Sequence, residues 1–254
     1  MKTGYFMPVF CLITGGINMN CKNREGQIIH KDNGQDNLLK SMYGSFIGRS
    51  VLSILVRPTI SKIAGALLST KLSTYFIKPF IKSNNIDMSD YYEGPYRSFN
   101  DFFIRDLKLG KRFINYDNTV LISPADGRVS VYDINDDSTF FIKDSYYTVE
   151  SLTHSKKAAE HFKGGKCVII RLCVDNYHKY CYIDNGFKSR NKFIPGVLHT
   201  VNPIAYDHCD IYKENSRECC ILHTENFGKV MQIEVGALMV GKIVNYDQIA
   251  YKKR

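Results

Sequence analysis

The sequence predicts an α+β fold: a helical N-terminal part followed by a mainly antiparallel, β-rich domain. Three observations carry that prediction. Between Asp36 and Ile81 apolar residues recur with a helical period. After Val120 the period changes to two, in short runs separated by Gly-bearing turns. The 254 residues are 44% hydrophobic and 13% aromatic, enough to bury a sizeable core.

Residues 1–35 are poorly patterned, and Gly15-Gly16, Gly26 and Asp32-Asn33-Gly34 punctuate them. A short strand or hairpin around Gln27–His30 is the one element expected there. The apolar run Tyr5–Thr14 resembles a signal-peptide core but is short and lacks a clean small-residue cleavage site. A translation start at Met19 is the simpler reading.

Residues 36–110 are expected to be helical. Leu38, Leu39, Met42, Tyr43, Phe46 and Ile47 begin a stripe that Val51, Leu52 and Leu55 continue to Pro58, where a helix ends or kinks. Ile60, Ile63, Leu67, Leu68 and Leu72 form a second one. Arg49, Arg57, Lys62, Lys71, Lys78 and Lys82 accompany these stripes. Two compatible readings follow, a helical layer packed on the core and a helical surface that also rests on anionic lipid. Further on, Ser98 or Asn100 can cap a helix carrying Phe102, Phe103 and Leu107 inwards, with Arg105 on another face, free to grip an anion or a carboxylate.

Residues 111–254 are expected to be β-rich. Strands are expected at 120–123, 128–133, 138–143, 166–173, 178–183, 196–201, 218–223, 229–235 and 241–246, with a helix over 148–161.

Net charge is +9, from 34 Lys and Arg against 25 Asp and Glu, which favours anionic partners. The cations are spaced along apolar helical segments and do not cluster with interleaved aromatics, so the pattern points to a lipid surface and away from nucleic acid. Eight cysteines without a CxxC pair read as reduced thiols. No run approaches the ~20 apolar residues of a membrane span.

Four stretches carry chemistry-bearing residues. In Ser123-Pro124-Ala125-Asp126-Gly127 an Asp-Gly corner lies between apolar runs, where the carboxylate of Asp126 needs a partner. In Tyr177-His178-Lys179-Tyr180-Cys181 a His precedes a Cys by three residues, an arrangement open to a structural reading or to a Cys–His nucleophile. His208-Cys209, Cys219-Cys220 and His223 suggest zinc, but the spacing fits no closed pattern and adjacent strand residues face opposite ways. Gly236 and Gly241 bracket an apolar run where backbones can approach closely.

In order along the chain, Ser98-Phe99-Asn100-Asp101-Phe102-Phe103-Ile104-Arg105, Leu107 to Arg112, Ser123 to Gly127, Tyr177-His178-Lys179-Tyr180, Val201-Asn202-Pro203, Asn215-Ser216-Arg217-Glu218, His223 to Gly228 and Val235-Gly236-Ala237 through Gly241 resemble the phosphatidylserine decarboxylase proenzymes. The resemblance runs from about Gly26 to Arg254. It implies conversion of phosphatidylserine to phosphatidylethanolamine and CO₂, by a Schiff base to a pyruvoyl group that the proenzyme generates from its own Ser by self-cleavage. It also implies a small pyruvoyl-bearing α chain as partner and peripheral attachment to the cytoplasmic face of the cell membrane, and it leaves a homodimer open. No metal is implied. Asp126 matches the Asp of an Asp–His–Ser relay, and His178 matches a His placed to handle the decarboxylation proton.

Two departures are visible. The family's second His, the usual relay base, falls on Cys181, whose thiol is a poor general base near neutrality. Either His178, His199 or His223 then takes that role, or maturation is impaired. The sequence reaches Tyr251-Lys252-Lys253-Arg254 before a Gly-Ser-Thr cleavage motif, so the pyruvoyl precursor Ser is missing from it and this chain alone is expected to be inactive. The alternative reading is an inactive fragment or pseudoenzyme that binds anionic lipid.

Overall fold

The computed structural model describes residues 8–14, 21–22, 27–29, 41–142, 145–200, 211–245 and 250–251. Their helices and mainly antiparallel strands make the α+β fold that the sequence predicts. The helical part contains α1 (Phe46–Leu55), α2 (Pro58–Leu68), a 3₁₀ turn (Lys71–Phe76), α3 (Ile77–Ser83) and α4 (Phe99–Phe103). Ser45 caps α1 by accepting from Gly48 N, and Pro58 opens α2 at the position where a missing N–H does no harm. Ser98 caps α4 by accepting from Asp101 N. Phe102 is fully buried against Phe80, Tyr96 and Phe99, a burial that stabilises by roughly 2–3 kcal/mol.

No single described helix is long and apolar enough to cross a membrane; α1 and α2 together have the length but meet at 69°. Their outward faces are apolar. Phe46 and Ile47 on α1, Leu67 on α2, and Leu72 and Tyr75 on the 3₁₀ turn that follows are each at least 65% exposed.

The main sheet has eight strands. Its path is β12 (Ala250–Tyr251), β8 (Gly186–Lys188), β10 (Arg217–Thr224), β11 (Lys229–Val235), β1 (Pro8–Thr14), β7 (Lys166–Leu172) and β4 (Arg128–Asp133), with β9 (Lys192–Ile194) pairing β10 beside β8. Every pair is antiparallel except those of β1, which runs parallel to both β7 and β11. Two hairpins stand apart, β2 (Cys21–Lys22) with β3 (Ile28–Ile29), and β5 (Thr139–Ile142) with β6 (Ser145–Thr148). The strand expected near Gln27–His30 is β3. The run Tyr5–Thr14 supplies β1, an element not anticipated within the poorly patterned first 35 residues.

Alternation sorts the sheet's side chains into two cores. Ile169, Cys219, Met231, Ile233 and Val235 face one cluster with Leu152, Phe162 and Tyr212. Val168, Ile170, Leu172, Cys220, Leu222 and Val230 face the other, with Ile183, Tyr180 and Tyr182. Cys219 and Cys220 thus point to opposite faces, as period two requires. Their thiols are pushed up to about 12 by burial. His208 and Cys209 lie outside the described residues.

Several expected elements differ. The helix expected over 148–161 is two, α5 (Val149–Thr153) and α6 (Lys156–His161), because His154 adopts a left-handed φ of 50° between them. A four-residue α7 (Ile211–Glu214) precedes β10. The described parts of 120–123, 178–183, 196–201 and 241–246 are not strands. They border the cavity described below, where turn and side-chain bonds replace a ladder. Close approach at Gly236 and Gly241 does occur. A Cβ on either would lie 2.8 Å from the Leu198 side chain, which sits between them.

Candidate functional site

The Asp-Gly corner lies just before β4. Gly127 has φ 152°, and a Cβ there would come within 2.7 Å of the Arg171 carbonyl, so the corner needs glycine. Asp126 is thereby held at the mouth of the β4–β7 pair, its side chain about a quarter exposed. Its partner is Arg112. Nε lies 3.0 Å from both carboxylate oxygens and Nη2 lies 2.7 Å from Oδ2. The same guanidinium reaches Asp90 at 2.9 Å, and Lys111 reaches Asp90 at 3.1 Å. The fork raises the pKa of Arg112, so the charge is fixed.

His178 follows a turn at Asp175-Asn176, which is tied by Asn176 Oδ1 accepting from Cys173 N at 2.7 Å. Its ring lies 4.1 Å from that of Phe103 at the end of α4. Burial, then the charge of nearby Arg105, lowers its pKa to about 4. Nδ1 is buried and has no hydrogen-bond partner among the described residues. At pH 7 the imidazole is therefore neutral, with the Asn176 backbone favouring its charged form against burial.

Cys181 returns to the Asp126 corner. Its N–H donates to Pro124 O at 2.8 Å, and its Sγ lies 3.9 Å from Ser123 O. Burial pushes the thiol up to about 11, and Asp126 pushes the same way. Asp126 also favours the charged form of His178. The three residues singled out in the sequence thus share one electrostatic neighbourhood and line one cavity of about 3150 Å³.

The other two candidate relay histidines are elsewhere. His199 hydrogen-bonds Tyr43 at 3.2 Å and lies 3.8 Å from Glu214, and burial lowers its pKa. His223 is exposed near the end of β10. Among the described residues, the side chain bonded to Asp126 is that of Arg112 and not an imidazole.

The cavity wall also holds groups that the sequence did not announce. Glu234 on β11 is 3% exposed and directly opposite Glu218 on β10. Gln232 Nε2 donates to its Oε1 at 2.5 Å and Asn245 Nδ2 to its Oε2 at 3.5 Å. Burial raises its pKa to about 7. Asn245 in turn accepts from the Tyr180 hydroxyl, between His178 and Cys181. An acid inside the apolar run Met231–Val235 was the available signal. Arg112 lies within one of the quoted motifs, without any cue that Asp126 was its partner.

Other motif residues build backbone. Asn215 is fully buried, accepting from His199 N at 2.9 Å and donating to His199 O and Gly236 O at 2.8 Å. Arg217 donates to the carbonyls of Leu152, Ser151, Lys213 and Asn215. Asp184, 1% exposed, accepts from Asn226 N at 2.8 Å.

Residues 99–254 match the family model described as phosphatidylserine decarboxylase. A protein named phosphatidylserine decarboxylase proenzyme 2, from Clostridium acetobutylicum, is 46% identical over 222 residues, covering 87% of this chain and 75% of its own. Phosphatidylserine decarboxylase proenzymes of Clostridium kluyveri and Clostridium beijerinckii are 41% and 40% identical, covering 81% and 80% of this chain and 71% and 70% of theirs.

Proposed function

The chain belongs to the phosphatidylserine decarboxylase family, and we propose that it supplies the substrate cavity, the proton-handling side chains and the lipid-facing helices of an enzyme that converts phosphatidylserine to phosphatidylethanolamine and CO₂. The observation that carries this reading is the convergence of Asp126, His178 and Cys181 on one cavity.

His178 lines the cavity in which a reactive carbonyl would sit. His178, Tyr180 and Cys181 would hold the pyruvoyl group, which we assign to a small companion α chain. When bound, that group supplies the electron sink that makes loss of a carboxylate feasible.

His178 does the proton work. The imidazole is neutral in the free protein, and a lipid phosphate entering the cavity raises its pKa by its negative charge. The imidazolium so formed can then donate a ring proton to the α-carbon that CO₂ has left. Asp126, fixed by Arg112, favours that charged form. It also lies beside the Ser123–Cys181 contact, where self-cleavage would be assembled. Cys181, with its pKa near 11, stays a neutral thiol there and packs against the corner, leaving base catalysis to another group.

Access from a membrane is supported by α2, which has two outward faces. Pro58, Ser61, Lys62, Gly65, Ala66 and Ser69 border the cavity, whereas Ile63 and Leu67 are exposed. Between residues 41 and 86 the chain carries Arg49, Arg57, Lys62, Lys71, Lys78 and Lys82 and no acidic residue. That composition suits the anionic face of a bilayer.

The test is expression from the full reading frame. Splitting into a large and a small chain on a gel, with release of labelled CO₂ from carboxyl-labelled phosphatidylserine in vesicles, is the expected result. An unsplit protein that binds vesicles without releasing CO₂ would establish the lipid-binding pseudoenzyme instead.

A further inference from the structure

Arg105 is 2% exposed, one of the largest fully enclosed side chains in the protein. Its Nη2 donates to two successive carbonyls, Asp175 O and Asn176 O, each at 3.0 Å. The face of the guanidinium lies 4.3 Å from the Tyr91 ring and 5.3 Å from that of Phe102. Tyr91 reaches the same Asp175 carbonyl at 3.5 Å and stacks near Tyr177. Nε and Nη1 are buried without a hydrogen-bond partner among the described residues. The side chain that the sequence left free to grip an anion is thus spent on main chain.

Such an arrangement is expensive for a structural tie. A buried unsatisfied donor costs about 1–3 kcal/mol, and more on a charged group. An apolar residue stacked on Tyr91 and Phe102 would avoid that penalty. What Arg105 alone provides is a two-carbonyl clamp on the turn two residues before His178. It belongs to the same short stretch as Phe103, whose ring lies against the His178 imidazole. One segment, Phe103 to Arg105, therefore fixes both the backbone leading to His178 and the plane of its ring.

We infer that Arg105 is the positioning residue for His178: by holding the Asp175 and Asn176 carbonyls it sets the imidazole against Phe103 at the cavity wall. The inference rests on the reading that His178 handles the decarboxylation proton. Arg105 touches main chain, so it acts through His178 and not on the lipid. Its charge also opposes protonation of the imidazole, while Asp175, Asp126 and the Asn176 backbone favour it. Lys179, next in sequence, is occupied by Asp106.

The test uses the protein from its full reading frame with Arg105→Lys, which keeps the charge but loses the planar fork, and Arg105→Met as a second variant. In the wild type the His178 Hε1 proton is expected to be shifted upfield by the Phe103 ring. In Arg105→Lys that shift should collapse while the other histidine signals stay in place. Decarboxylation should lose on the order of 10²-fold in kcat, the usual penalty of a misplaced group, with KM nearly unchanged. An unaltered His178 signal in Arg105→Lys, or a loss confined to KM, would overturn the inference. The NMR readout needs no activity, so it decides the positioning role even where His178 proves not to be the proton carrier. If Arg105→Met fails to fold, Arg105→Lys alone decides.

Discussion

Arg112 grips both carboxylate oxygens of Asp126, with Nε 3.0 Å from each. The pair is partly solvated, so its worth to the fold is about 1 kcal/mol or less. In the proposed chemistry its worth is orientation. Asp126→Ala is expected to leave the full-length protein uncut, with a melting temperature lowered by only about 2–4 °C. Normal processing in a pulse-chase gel would remove Asp126 from the relay. Arg112→Gln should slow processing, because the carboxylate then rotates freely.

His178 makes the fold sensitive to acid. Its folded pKa of about 4 lies below the ordinary 6.5, so between those values the unfolded chain takes up a proton that the native protein refuses. Stability is full above pH 6.5, falls as pH drops towards 4, and then levels off. The shift corresponds to roughly 3 kcal/mol. His178→Gln is expected to flatten that slope in urea titrations at pH 7, 6, 5 and 4. An unchanged slope would place the sensitivity on another group.

Glu234 works in the opposite direction. Its folded pKa of about 7 lies above the ordinary 4.5, so stability is greatest below pH 4.5 and declines as pH rises to 7. Glu234→Gln removes the ionisation and can keep the bond from Gln232, while its amide nitrogen replaces the oxygen that accepts from Asn245. We expect it to raise stability at pH 8 relative to wild type and to leave pH 4.5 little changed. Equal loss at both pH values would show that packing, and not charge, dominates at this position.

Cys181 should be slow to alkylate. A thiol with a pKa near 11 is almost wholly protonated at pH 7.5. Iodoacetamide is expected to modify it well over ten-fold more slowly than free cysteine, by mass spectrometry of the tryptic peptide. Fast labelling accompanied by loss of activity would revive the Cys–His nucleophile.

The helical surface predicts salt-sensitive lipid binding. Replacing Lys71, Lys78 and Lys82 by Glu should weaken flotation with phosphatidylglycerol vesicles, since each cation near such a surface contributes about 1 kcal/mol. Phe46→Ser with Tyr75→Ser should weaken binding at every salt concentration, because those exposed rings would supply the apolar share. Unchanged flotation in both variants would move the lipid surface off these helices.

The legible parts of this molecule are those whose environment repeats. β7, β10 and β11 are rich in apolar residues because their two sides face two packed cores, β4 alternates with Val129 and Val131 on its exposed side, and the caps of α1 and α4 sit where Ser precedes an apolar turn. The segment 178–183 alternates too, yet it is no strand. Tyr180 and Cys181 spend their bonds on Asn245 and Pro124, partners far away in sequence. β8 and β9 are three residues each, too short for any periodicity to register. The candidate residues Asp126, His178 and Cys181 were visible through family motifs, whereas the Arg112 fork and the buried Glu234 depend on pairings that only the folded chain makes.

β1 lies between β7 and β11, with Val9 opposite both Cys167 and Met231. The middle of the sheet therefore joins residues from near the start of the chain to residues more than two hundred positions later. On a ribosome this strand must wait until residue 235 has emerged before both its neighbours exist. Until then β1 can pair with β7 alone and its other edge stays unpaired, so assembly of the sheet is a late, non-local event.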